Sequence, residues 1–177
     1  MTKKHNRHSI RLRTWDYSSS GYYFLTICSY KRECIFGDVV GGEMRSNEYG
    51  EILNDIINSL SNRFNIKIDI YQIMPNHLHI VIFVGAHHDA PKLHHTNIQS
   101  RAIHESPLHR HELSKIVGYL KMNVSKSIHQ ISPNQQVWQR NYYEHIIRNE
   151  AELVNIRKYI INNPLKWDSD KNNPVNL

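Results

Sequence analysis

A chain of 177 residues with 40% hydrophobic content can build a real core, and its length fits one compact domain spanning 1–177. The formal charge of +6 leaves 13 histidines neutral and accompanies an isoelectric point near 9.3, a balance that favours an acidic partner, nucleic acid first, over an acidic small substrate. Only Cys28 and Cys34 are present, the opening MTKKHNRHSIRLR is polar, and no apolar run approaches the roughly 20 residues that cross a bilayer, so a disulfide scaffold, a signal peptide and a membrane span are excluded and a reduced, cytoplasmic protein is expected.

The N-terminal arm, residues 1–17, carries Lys3, Lys4, Arg7, Arg11 and Arg13 with no acid among its first 13 residues; it reads either as a solvated tail or as a contact to a phosphate backbone. GYYFLTICS, from Gly21 to Ser29, is aromatic and β-branched and predicts a strand. The Gly41-Gly42 pair between short apolar runs predicts a hairpin, followed by a turn closing at Gly50. From Glu51 to Arg63 the residues Ile52, Leu53, Ile56, Ile57 and Leu60 fall at helical spacing. IKIDIYQIM and HLHIVIFV, separated by Pro75 and Asn76, predict an antiparallel hairpin at the centre of a sheet.

Residues 85–111 show no period, contain two prolines and scatter histidines without ligand spacing, so they predict a long surface loop with at most adventitious metal binding. A helix over 112–129 follows, with Leu113, Ile116, Val117, Leu120, Val124 and Ile128 on one side and Lys115, Lys121 and Lys126 available to DNA. Asn149 and Glu152, in capping-box register, start a last helix that Pro164 ends. The order strand, helix, strand, strand, helix, helix predicts an α+β, ferredoxin-like antiparallel sheet with helices on one face.

Side chains alternate along a strand, so His77 and His79 in MPNHLHIVIF share one face while Leu78 and Ile80 take the other. Neutral imidazoles at i and i+2 offer two adjacent positions to a metal ion, although in a chain this rich in histidine the pair alone also fits a structural role. Tyr159 and Asn163 stand four residues apart beside the stripe of Leu153, Ile156 and Ile160. Asn163 offers a carbonyl oxygen to a His, His, Asn set, and Tyr159 a phenol able to attack phosphorus. Packing for Tyr159 and capping for Asn163 are the plain alternatives.

Taken together, MPNHLHIVIF, WQRNYYEHIIRNE, YIINNPLKW and the opening RLRTWDYSSSGYYFLTICSYKRECIFG resemble, in order and spacing, the single-tyrosine HUH transposases, and among them the REP-associated tyrosine transposases. The resemblance covers most of the chain and fails across the His-rich loop. It implies an HUH endonuclease-type fold, with Tyr159 as the nucleophile and His77, His79 and Asn163 as ligands of Mg²⁺ or Mn²⁺. It further implies a transposase acting on single-stranded or hairpin DNA through a 5′-phosphotyrosine. Tyr142 and Tyr143 are competing nucleophiles; Trp138, Gln139, His145 and Arg148 match the pattern too, with Arg148 open to phosphate contact or to an ion pair. Trp15, Tyr17, Tyr22 and Tyr23 are candidates for stacking on bases or for the core. Monomer and homodimer both stay open. The rival readings are a non-catalytic single-strand platform and a phosphoesterase that uses water.

Overall fold

The computed structural model describes residues 21–85 and 110–176, with side chains from 112 onward in the second stretch. The basic arm, Trp15, Tyr17 and nearly all of the His-rich segment lie outside the described residues. Among the described ones, no helix is long and apolar enough to cross a membrane.

Strand β1, Gly21–Cys28, runs up the middle of a four-stranded antiparallel sheet, flanked by β5 (His77–Val84) and β6 (Tyr143–Ile147), with β4 (Ile66–Met74) outside β5. The order β4-β5-β1-β6, with helix α1 (Glu48–Arg63) linking β1 to β4 and α2 (Arg110–Ile131) linking β5 to β6, is the ferredoxin-like arrangement. A separate hairpin, β2 (Gly37–Val40) and β3 (Glu43–Ser46), is inserted before α1, its turn made by Gly41 and Gly42, both at positive φ. Asn47, not a turn at Gly50, opens α1: its side-chain oxygen accepts from the Tyr49 and Gly50 amides.

The two faces of the sheet are covered differently. Tyr23, Leu25 and Ile27 of β1 and Leu78, Ile80 and Ile82 of β5 pack under α1 and α2. Tyr22, Phe24, Val81 and Phe83 face the other way and are covered by Leu153, Ile156 and Ile160 of α3, Glu150–Ile161. Helices on one face alone would leave this second apolar surface open to water, which is why the third helix crosses over. Tyr22 and Tyr23, 8% and 1% exposed, belong to these two cores and not to a base-stacking surface.

Two features escape a simple period. The β4–β5 register shifts between Ile68 and Ile70, so Asp69 is a bulge residue and the strand swaps which parity faces α1 and α2. Asp69 thereby meets Arg157 of α3 in a two-bonded ion pair, at 2.8 and 2.6 Å. The strand β6 fills the remaining edge of the sheet.

Candidate metal and nucleophile site

His77 and His79 sit at the first positions of β5 on the α3 face, both buried, with Nε2 atoms 3.0 Å apart. Burial, then the charges of Arg32 and Lys171, hold the His77 pKa down to about 3; burial and the neighbouring His77 push His79 well below the usual imidazole range. Both rings are therefore neutral at pH 7, the form that ligates metals.

The hydrogen bonds around them define the tautomers. Asn76 donates through Nδ2 to the carbonyls of Arg32 and Asn172, at 2.9 and 2.7 Å, which makes its Oδ1 the acceptor facing His77 Nδ1 at 2.8 Å. His77 must then carry its proton on Nδ1, leaving the Nε2 lone pair directed at the site. His79 Nε2–H donates to that lone pair, and its Nδ1 accepts from the Thr26 hydroxyl at 2.9 Å. For His79 to offer its Nε2 lone pair to a cation as well, it would take the opposite tautomer. The Thr26 hydroxyl, which donates or accepts with equal ease, accommodates both.

Tyr159, on the last turn of α3, places its hydroxyl 3.2 Å from His79 Nε2, while its ring meets Phe24 edge-on at 6.2 Å. The Asn149 cap, whose side chain accepts from the Glu152 amide, and the Leu153–Ile160 stripe fix this helix. Glu152 reaches back to the Arg148 amide and to His145 Nε2, at 2.8 and 2.6 Å, tying α3 to β6. Tyr159 remains 41% exposed; burial and then Asp170 raise its pKa, so it stands as a phenol at neutral pH.

Past the helix, Asn163 is 2% exposed and donates from Nδ2 to Asp170 Oδ2 at 3.2 Å, while its Oδ1 is buried with no hydrogen-bond partner. Asp170, absent from the sequence reading, is positioned by the Asn172 amide on Oδ1 at 2.6 Å. Ligand atoms of His77, His79 and Asp170 lie within 4.8 Å of one another, close enough to hold a metal ion. Two imidazoles, a carboxylate and an orphaned amide oxygen form a donor set suited to a divalent cation.

The other singled-out residues separate. Tyr142 packs against the α1–α2 core, whereas Tyr143 is 51% exposed at the edge of the site. Lys121 turns inward, donating to the carbonyls of Gln139 and Asn141 at 2.9 and 2.6 Å, with burial lowering its pKa to about 8. Trp138 donates to the Lys121 carbonyl and packs on Phe36. Lys115 pairs with Glu112 on the α2 surface, and the Arg148 side chain is exposed.

No family model matches the chain. An uncharacterised protein of Haemophilus influenzae is 35% identical over 173 residues, spanning 94% of this chain and 93% of its own length. A second protein of that organism, named "Putative REP-associated tyrosine transposase", is 24% identical over 168 residues, covering 85% of this chain and 74% of its own. A solved REP-associated tyrosine transposase bound to a REP hairpin shares the fold, with TM-score 0.58, 17% identity and coverage of 90% of this chain and 74% of that one. The chain is thus similar in sequence to one protein named as a REP-associated tyrosine transposase and shares the fold of a solved one. In this chain the histidine pair, Tyr159 and Asn163 lie together at one end of the sheet, and the carboxylate of Asp170 joins them from the segment after α3.

Proposed function

We propose that the protein is a divalent-metal-dependent endonuclease and strand transferase that cuts and rejoins single-stranded or hairpin DNA through Tyr159. The observation that carries this reading is the phenolic oxygen 3.2 Å from an imidazole nitrogen that itself faces a second imidazole and a carboxylate. His77, His79 and Asp170, with the Asn163 amide oxygen, would hold the cation. A bound Mg²⁺ or Mn²⁺ would supply charge neutralisation for the scissile phosphate. Tyr159, held by α3, presents its oxygen in line; the Tyr159 oxygen–phosphorus bond forms, the phosphorus–O3′ bond breaks, the phenol gives up its proton and the departing 3′ oxygen gains one. The resulting 5′-phosphotyrosine keeps the phosphodiester linkage energy, so attack by another 3′-hydroxyl reseals a strand without a nucleoside triphosphate.

The hairpin held by the solved relative of the same fold supports DNA as the partner. The test is a labelled hairpin carrying a single-stranded flank, incubated with the protein and Mg²⁺ or Mn²⁺ and resolved on a denaturing gel. A protein–DNA adduct is expected from the wild type and from Tyr142→Phe, and none from Tyr159→Phe, which still binds the hairpin. Cleavage without adduct would assign the attack to water, and binding without cleavage would leave a single-strand platform.

A further inference from the structure

Beside the nucleophile the same end of the sheet opens into a cavity of about 730 Å³, larger than the metal and Tyr159 require. Its lining combines Tyr143, half exposed and edge-on to Phe24 at 6.4 Å, with the cations Arg32, Lys166 and Lys171. We infer that this cavity is a nucleotide subsite: an unpaired base adjoining the scissile phosphate stacks on Tyr143 while its own phosphate lies against the three cations. The inference rests on the DNA-cleaving reading above and adds to it where the strand runs and which residue holds its base.

Register places Tyr143 there. Thr26 of β1 pairs with His79 of β5 on one side and with Tyr143 of β6 on the other, so the three share a row on the α3 face of the sheet. Two interstrand spacings, about 10 Å, separate the metal-facing histidine from the tyrosine. That is within reach of a neighbouring base when the phosphate sits at Tyr159. Tyr143 also lies on an edge strand and is half exposed, in contrast to Phe24, which is buried beside it. Its backbone is held firmly: Lys121 clamps the carbonyls of Gln139 and Asn141 just before it, and Asn141 takes a positive φ that turns the chain into β6. An aromatic face on a rigid edge is what stacking needs, because a ring that must first be ordered loses affinity. Arg32 is likewise fixed, its guanidinium donating to the Lys171 carbonyl at 3.3 Å.

The experiment uses the Tyr159→Phe protein, which cannot cleave, and hairpins carrying 2-aminopurine at successive unpaired positions on each side of the cut. Stacking on Tyr143 predicts quenched fluorescence at one flanking position. The quench is retained in Tyr143→Phe and lost in Tyr143→Ala, with affinity for the flanked hairpin falling on the order of five- to a hundredfold. Affinity for a blunt hairpin lacking the flank stays unchanged in both. Lys166→Gln combined with Lys171→Gln lowers the salt dependence of flank binding by about two phosphate contacts' worth. Quenching that survives Tyr143→Ala, or no quenching at any position despite hairpin binding, overturns the subsite. A Tyr159→Phe protein that binds no hairpin at all would instead sink the DNA-cleaving reading itself.

Discussion

Thr26 carries one hydroxyl, yet it is the partner that lets His79 keep a satisfied Nδ1 in either tautomer. Replacing it with valine keeps the shape and removes the hydrogen-bond partner of His79 Nδ1. Calorimetry with Mn²⁺ should show Thr26→Val binding weaker by about 10- to 100-fold, the usual effect of losing an outer partner of a metal-bound histidine, with thermal stability little changed. Equal affinity in the two proteins would show that the tautomer is set elsewhere. Lys121 makes a second residue-level test. Its folded pKa of about 8 lies below the ordinary lysine value, so between those two pH values the unfolded chain binds the extra proton and stability rises with pH. Urea midpoints at about pH 7.5 and 9.5 should therefore favour the wild type over Lys121→Met more at the higher pH. A difference that does not change with pH would place the ammonium in a more watery setting than its two carbonyl partners indicate.

Helix α3 is the element that brings the phenol to the histidines, and it is fastened to the sheet at its start and its middle. Glu152 holds its start to His145 of β6, and Arg157 holds its middle to Asp69 on the β4 bulge. Asp69→Asn should cost about 1–3 kcal/mol in local helix stability, since one charge of a largely sequestered pair is lost. Hydrogen exchange should then speed across 150–161 and adduct formation should slow, with hairpin binding intact. Unaltered protection would mean that the apolar stripe alone suffices. This element also shows what a sequence can convey. The stripe Leu153, Ile156, Ile160 and the Asn149 cap obey local periodic rules, as do the alternating His77 and His79, so they were readable. The swap of faces at Asp69 comes from one unpaired residue inside a run that looks uniform. Asp170 belongs to a short 3₁₀ turn and the bend after it, where no period exists, and only the Asn163 and Asn172 hydrogen bonds aim it. The strand β6 is five residues on an edge, too short for alternation to stand out against the preceding turn.

For the molecule as a whole, Tyr159 docks against His79 of its own chain, and on the proposed chemistry one copy supplies both groups. Mixing Tyr159→Phe chains with His77→Ala/His79→Ala chains should therefore yield no more adduct than either alone. Adduct restored by mixing would show that α3 is exchanged between two copies. The fold divides along the sheet: one face packs under α1 and α2, while the other, under α3, holds the histidines, Tyr159 and the cavity whose lining cations no sequence period marks.

The carboxylate enters this centre from beyond the final helix, linked to the histidine strand through the Asn76 amide and its bond to the Asn172 carbonyl. A chain shortened just past Leu165 would retain the described strands and α-helices and still present two imidazoles and a phenol. It would lose the Asp170 carboxylate together with the buried Trp167 and the Asn172 carbonyl that Asn76 bonds, so the twelve residues 166–177 complete the donor set and hold the histidine strand in place.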